Sequence, residues 1–143
     1  MAVLTVTIKE EVTLNGSLRT FENVHTETVD DLFHRIYEVG FGSGNEVELL
    51  NFGATADGGT VADADLDYLR ITKLDSTNFV TIRVLGASKE YAVKVEAGDS
   101  FILNNSVLDA NATGSATLTL SNIDSIKAYA DTAACKLEIL AFA

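Results

Sequence analysis

The sequence predicts an all-β protein with a two-sheet, jelly-roll-like β-sandwich fold. Apolar residues make up 47% of the chain, and its 15 Thr and 13 Val favour strands, whereas Pro is absent. About eight to ten short segments of strand character follow one another, with turn formers between them, which is typical of sandwiches and barrels. A length of 143 residues suits one domain, so we expect a single domain over residues 1–143.

The first two strands are predicted from alternation and a turn signal. Apolar and polar residues alternate over residues 3–14, the period of a half-buried strand. Asn15 and Gly16 favour a tight turn, so a second strand should return through residues 18–24. Residues 1–12 contain neither a basic leader nor a continuous apolar stretch, so we predict a strand there and not a signal peptide.

The next segment is ambiguous, because residues 28–39 fit both helical spacing and strand alternation. We favour a strand, with room for one helical turn before it. Residues 40–44 have the sequence GFGSG, which resembles a phosphate-binding loop, but such a loop needs a helix directly after it. Residues 46–52 predict a short strand instead, so we interpret the glycines as a flexible turn.

The strongest hairpin signal lies in the middle of the chain. Residues 66–74 and 79–85 are apolar, β-branched runs, and the turn formers Asp-Ser-Thr-Asn join them. Further strands are predicted at residues 90–95, 100–103, 117–120, 123–129 and 135–142, with long loops near 53–65 and 104–116.

This hairpin has a consequence for two arginines. If Leu74 pairs with Phe79, Arg70 lies opposite Arg83, and like charges in that position repel. Both side chains should therefore pair with carboxylates, either from the acidic loop at residues 57–67 or from a neighbouring subunit. We favour a loop partner or solvation and keep Arg70 and Arg83 as candidate interface residues.

The last predicted strand poses a similar question. One face carries Lys136 and Glu138, but the same face ends with Leu140 and Phe142. These two side chains either reach the core at the edge of the sandwich or dock on another protein. They are therefore the second pair of candidate interface residues.

We find no grouping of residues that predicts catalysis, a cofactor or a metal site. Asp63, Asp65 and Asp67 have the spacing of the start of a calcium loop, but the essential glycine and glutamate are missing, so a solvated loop is favoured. The single cysteine, Cys135, shares its face with apolar residues and is predicted to be buried and inert. We therefore expect no enzymatic activity.

The charge of the chain excludes one class of partner. The formal net charge is −11 and the pI is about 4.4, so the phosphates of a nucleic acid would be repelled over most of the surface. Long apolar runs are absent, so we expect no membrane association.

Three segments carry a resemblance to a known group of proteins. Their sequences are DYLRITKLDSTNFVTIRV at residues 67–84, VEAGDSFIL at 95–103 and IDSIKAYADTAACKLEILAFA at 123–143. They resemble segments of small structural proteins of tailed bacteriophages, of the type found in phages of aquatic bacteria and cyanobacteria. The resemblance covers roughly the C-terminal half of the chain.

The resemblance implies a non-enzymatic virion protein that is made in the host cytoplasm and placed on the exterior of the capsid or tail. We expect a homo-oligomeric capsid decoration or cement protein whose partner is the major capsid protein. The alternative within the virion is a neck, tail or fibre component that binds neck or tail proteins. The alternative of another class is a carbohydrate-binding β-sandwich module, against which the absence of Trp argues, because sugars stack on aromatic rings.

Overall fold

The computed structural model describes residues 2–53, 60–62, 66–87, 89–108 and 120–143. Within these residues the protein is all-β, with a 3₁₀ turn at Ser43–Asn45, and the predicted fold class is confirmed. The strands are β1 (Ala2–Leu14), β2 (Ser17–Val29), β3 (Leu32–Val39), β4 (Val47–Gly53), β5 (Thr60–Ala62), β6 (Tyr68–Lys73), β7 (Val80–Gly86), β8 (Lys89–Val95), β9 (Ser100–Leu103), β10 (Val107–Leu108), β11 (Ser121–Ala130) and β12 (Cys135–Phe142).

The chain divides into two compact units, Met1–Asp30 and Asp31–Ala143. The first unit is an antiparallel hairpin of β1 and β2, paired from Ala2 with Val29 to Leu14 with Ser17. At the tip, Asn15 has φ 51° and Gly16 has φ 80°, which are the positive angles that a two-residue hairpin turn requires. The predicted turn is therefore confirmed, and β2 continues beyond the expected end. The expectation of a single domain stays a prediction.

The second unit is a sandwich of two sheets. In the described residues, one sheet has the strand order β5-β4-β11-β7-β8, with β10 on β11, and is called here the six-stranded sheet. The other has the order β3-β12-β6-β9 and is called the four-stranded sheet. Their inner faces supply a common apolar core that includes Leu69, Ile71, Ile82, Ile126 and Ile139. Alternate residues of each strand therefore point into the core or away from it.

The prediction that residues 66–74 and 79–85 pair as a hairpin is wrong. Strand β6 pairs with β12 and β9, whereas β7 pairs with β11 and β8 in the other sheet. The turn formers at residues 75–78 do reverse the chain, and Asn78 adopts φ 62° there, but the reversal crosses from one sheet to the other. Both arrangements bury the same alternate side chains, so alternation does not distinguish them.

Residues 28–39, which fitted both a helix and a strand, contain a strand, and residues 40–44 form a turn, as we favoured. Residues 32–39 form β3, and β4 begins directly after the 3₁₀ turn, so a strand and not a helix follows the glycines. Gly42 has φ 79°, and Asn45 Nδ2 donates a hydrogen bond to the carbonyl of Phe41 at 2.8 Å. The glycine segment thus serves as a crossing between the two sheets.

The two predicted long loops contain short strands. Strand β5 runs parallel to β4, and β10 pairs with β11. Asp63 and Asp65, on which the calcium alternative depends, lie outside the described residues, as do residues 117–119 of a predicted strand.

Candidate functional site

The outer face of the four-stranded sheet carries exposed apolar side chains among polar ones. Leu32, Ile36 and Ile102 are 56%, 59% and 41% exposed. Tyr68, Leu140 and Phe142 are half-buried on the same face. The outward positions, in register across the sheet, are Leu32, His34, Ile36 and Glu38 on β3, Lys136, Glu138, Leu140 and Phe142 on β12, Tyr68, Arg70 and Thr72 on β6, and Ser100 and Ile102 on β9.

A small ionic group lies among these apolar side chains. Glu138 accepts a hydrogen bond from Arg70 Nη2 at 2.8 Å and lies 3.1 Å from Nε2 of His34. One carboxylate is therefore shared by two nitrogen-bearing side chains. The Nε of Arg70 is buried and has no hydrogen-bond partner in the described structure. A buried donor without an acceptor is unfavourable, and this Nε is shielded from solvent by its own chain.

The sequence left open whether Leu140 and Phe142 reach the core, and the structure shows that they do not. Both lie on the outer face and not in the core, because their neighbours Ile139 and Ala141 are the buried residues of β12. The ring of Phe142 is 6.4 Å from that of Tyr68, in a tilted arrangement. Aromatic pairs of this geometry add to surface burial when a partner covers them. These side chains are thus available at the surface of the sheet.

Arg83 belongs to a different surface from Arg70. It lies on the outer face of the six-stranded sheet, where its Nη1 donates to both carboxylate oxygens of Glu46 at 2.8 and 2.9 Å. Its Nη2 donates to Glu90 at 2.5 Å. These hydrogen bonds to Glu90 and Glu46 raise the pKa of Arg83 above its ordinary value. The predicted opposition of Arg70 and Arg83 is therefore wrong, because their strands lie in separate sheets and each finds carboxylates elsewhere in its own chain.

The outer faces of the two sheets differ in their exposed apolar side chains. The six-stranded sheet presents Glu48, Arg83, Glu90, Lys94 and Lys127 beside Leu85, Ala92 and Tyr129. Its ion-paired, solvated charged side chains give this surface little tendency to be buried. The four-stranded sheet presents the exposed Leu32, Ile36 and Ile102. The contrast singles out the outer face of the four-stranded sheet as the better candidate for contact with another molecule.

One face of the hairpin mixes apolar and polar side chains. By register it combines the apolar residues Leu4, Val6, Ile8, Val12, Leu14 and Phe21 with the polar residues Glu10, Ser17, Arg19, Asn23, His25 and Glu27. Of these, Ile8, Val12, Leu14 and Phe21 are 45–57% exposed. Phe21 lies opposite Glu10 and diagonal to Ile8 and Val12, so the apolar stripe continues past Glu10. The other face of the hairpin is rich in threonine.

No protein-family model and no curated protein matches this sequence. The resemblance to phage structural proteins therefore stays a prediction. In the part of the chain that the structure describes, no group of three or more His, Cys, Asp and Glu residues is arranged to hold a metal ion. None of the described helical segments is long and apolar enough to cross a membrane.

Cys135 lies in the core, as predicted. It is 1% exposed, and its Sγ lies 3.4 Å from the carbonyl oxygen of Ala133, to which it donates. Burial raises the pKa of the thiol, which keeps it in the protonated, unreactive form.

Sequence reasoning missed Lys73, which is fully buried at the end of β6. Its Nζ donates to the carbonyl oxygens of Asp75 at 3.0 Å and Thr77 at 2.6 Å. The side chain thereby holds the turn that crosses between the sheets. The sequence did contain an indication of this burial. Lys73 is separated from the inward residues Leu69 and Ile71 by an even number of positions, so it lies on the same side of β6.

Proposed function

We propose that this chain is a non-enzymatic structural protein of a tailed-phage virion, a capsid decoration or cement protein bound to the outside of the shell. The observation that carries the proposal is the group of exposed apolar side chains on the outer face of the four-stranded sheet, around Arg70 and Glu138. A surface of this composition is suited to burial against another protein. The resemblance of residues 67–84, 95–103 and 123–143 to phage structural proteins supports the virion setting.

The mechanism is binding alone. Contacts across the boundaries between capsomers would stabilise the shell against internal pressure, and many weak contacts gain strength when copies are held on one particle. The partners are the major capsid protein and neighbouring copies of this chain. Leu140, Phe142 and Arg70 are the contact residues that the structure favours, whereas Arg83 is satisfied by Glu46 and Glu90.

The charge of the chain supports an exterior position. A protein of net charge −11 would be repelled by the packed phosphates inside a filled capsid. On the outer surface the same charge disfavours non-specific association between particles.

The proposal is tested by counting copies in purified virions with quantitative mass spectrometry. Hundreds of copies per particle would support decoration of the shell. A few dozen copies or fewer would move the assignment to a neck, tail or fibre component, which is the alternative within the virion. Absence from particles, together with binding on a glycan array, would overturn the virion proposal in favour of a carbohydrate-binding module.

A matched pair of variants tests whether incorporation into particles depends on the outer face of the four-stranded sheet. Leu140→Asp on the outer face of the four-stranded sheet should reduce incorporation into particles, because it places a charge on the contact surface. Thr81→Asp on the outer face of the six-stranded sheet should leave incorporation unchanged. Equal incorporation of the two folded variants would contradict the assignment of the contact face.

A further inference from the structure

We propose that two copies of this chain associate through strand β8, which pairs antiparallel with β8 of the second copy, so that the six-stranded sheets of the two copies become continuous. The inference concerns the edge of a sheet. It does not rest on the proposed function, which uses the outer face of the four-stranded sheet.

Strand β8 lies at the edge of the six-stranded sheet. Its seven residues pair with β7 on one side, and no other strand of the described residues lies on the opposite side. In an antiparallel sheet each residue directs both of its main-chain groups towards the same neighbouring strand, and successive residues alternate between the two sides. Every second residue of β8 therefore directs its N–H and C=O groups to the open side, where a further strand can pair.

The sequence of β8 is complementary to itself in the antiparallel direction. A twofold axis at Ala92 pairs all seven residues and places Glu90 of each copy opposite Lys94 of the other. The side chains of Glu90 and Lys94 are 60% and 54% exposed. Directly opposite side chains lie about 5 Å apart in such a pair, within reach of an ion pair. The register with the greatest overlap therefore also joins opposite charges on both sides of the axis.

Other registers lose this match. A shift by one residue sets the outward side chains of one copy against the inward side chains of the other. A shift by two residues places Glu90 or Lys94 opposite Ala92 of the other copy. A shift by four residues places two copies of Glu90, or two copies of Lys94, opposite each other, and like charges in that position repel. The charge pattern thus selects one register.

Contacts within one copy already position the two charged side chains. Glu90 Oε2 accepts a hydrogen bond from Arg83 Nη2 at 2.5 Å. Lys94 pairs with Glu96, and its Nζ lies 4.4 Å from the centroid of the Phe79 ring. In the pair of copies, each Glu90 would lie between Arg83 of its own copy and Lys94 of the other. A network of several charges contributes more than an isolated exposed ion pair.

The inward side chains of β8 match in the same register. Tyr91 of each copy lies opposite Val93 of the other, and both side chains are partly buried against the core of their own copy. Aromatic and β-branched side chains in opposite positions stabilise antiparallel pairs. At the two ends of the contact, Lys89 lies opposite Val95. The apolar layer beneath the sheet would therefore continue from one copy into the other.

The contact is small. From the rise per residue, the paired strands are about 24 Å long, and about six to eight main-chain hydrogen bonds would join the copies. Such a contact belongs to the weak interfaces that bury less than about 1,200 Å² in total. We therefore expect a reversible dimer with a dissociation constant of about 10–100 μM.

The other edges of the sandwich are less suited to this pairing. Within the described residues, β5 and β9 are edge strands of three and four residues, and short edges resist association. Strand β3 is longer, but Arg35 lies in the middle of its inward side, between Phe33 and Tyr37. An inward-pointing charge at that position opposes pairing of an edge. In β8 the central charges point outward, at complementary positions.

The first test follows the mass of the purified full chain by sedimentation equilibrium as the concentration is raised to about 1 mM, well above the expected dissociation constant. The wild type should show an equilibrium of monomer and dimer. Glu90→Lys and Lys94→Glu should each weaken it about tenfold or more, because each sets like charges opposite each other on both sides of the axis. Glu48→Lys is the matched control, since it reverses a charge on the same outer face but on β4, away from the edge. A wild type that stays monomeric, or equal effects of Glu48→Lys and Glu90→Lys, would overturn the proposal.

The second test mixes the two charge-reversed variants. In the Glu90→Lys copy both outward charges of β8 are positive, and in the Lys94→Glu copy both are negative, so a mixed pair joins opposite charges on both sides of the axis. The mixture should therefore recover dimerisation that neither variant shows alone, and about 1 M salt should reduce the difference. A mixture that stays monomeric while the wild type dimerises would contradict the register. Circular dichroism of each variant verifies that the sandwich is folded.

A third variant separates the edge from the surface of the proposed function. Leu140→Asp changes the outer face of the four-stranded sheet and should leave dimerisation through β8 unchanged. Loss of the dimer in this variant would assign the contact between copies to that face and would overturn pairing of the edges.

Discussion

Arg83 has two carboxylate partners and therefore allows a test of whether the solvent exposure of a carboxylate controls the strength of its ion pair. Glu46 and Glu90 both accept hydrogen bonds from its guanidinium, and distance alone ranks Glu90 first, at 2.5 Å. However, the side chain of Glu46 is 17% exposed and that of Glu90 is 60% exposed. Glu46 also accepts two hydrogen bonds from Nη1 of Arg83. We therefore expect Glu46→Gln to cost more stability than Glu90→Gln.

The magnitudes follow from the environment of each carboxylate. Hydrogen bonds to shielded charged groups contribute about 1.5–3 kcal/mol, so losing the charge of Glu46 should cost about 1.5 kcal/mol. An exposed ion pair such as that of Glu90 contributes about 0.2–0.5 kcal/mol. For a unit of about 110 residues these losses lower the melting temperature by about 6 °C and about 1–2 °C, respectively.

Thermal unfolding followed by circular dichroism measures both losses. In about 1 M salt the effect of Glu90→Gln should disappear, because exposed charges are screened, whereas most of the effect of Glu46→Gln should persist. Equal losses for the two variants, or a larger loss for Glu90→Gln, would refute the argument that exposure outweighs distance at this site.

Three further predictions concern the turns and the core. Lys73→Met should cost about 2 kcal/mol in urea unfolding, because the carbonyls of Asp75 and Thr77 lose their charged donor; an unchanged midpoint would contradict a bracing role for this lysine. Cys135 should react with a thiol reagent only on unfolding. Because burial raises its pKa in the folded state, stability should fall as the pH rises above the ordinary thiol pKa of 9.0, and Cys135→Ala should reduce that pH-dependent loss. Gly16→Ala should destabilise the hairpin by about 1–2 kcal/mol, since φ is 80° there, and faster amide exchange in β1 and β2 would detect it.

Local signals predicted individual elements well. Alternation and the Asn15-Gly16 turn predicted the hairpin of β1 and β2, because both its register and its turn depend on residues close together in the chain. The alternation of Phe33, Tyr37 and Val39 favoured β3 for the same reason. The end of β2 was harder to place, because no turn former lies between Val24 and Val29.

Pairing between distant strands was not predictable in this way. The residues around Lys73 and Asn78 form a turn in either topology, so sequence alone could not show that β6 and β7 enter different sheets. The error carried over to Arg70 and Arg83, whose actual partners are Glu138, Glu46 and Glu90. Of these acceptors, Glu138 is 68 positions away from Arg70 in the chain.

The sequence by itself determined the all-β class, the alternation that selects the core, the tight turn at Gly16 and the burial of Cys135, since each depends on short-range chemistry and on which residues avoid water. Only the tertiary structure decided which strands share a sheet, and thus that Leu140 and Phe142 join Leu32, Tyr68 and Ile102 on one exposed face. The physical reason is that the inward or outward direction of a side chain follows from the period of its own strand. Its neighbours across the sheet depend on the pairing of segments far apart in the chain.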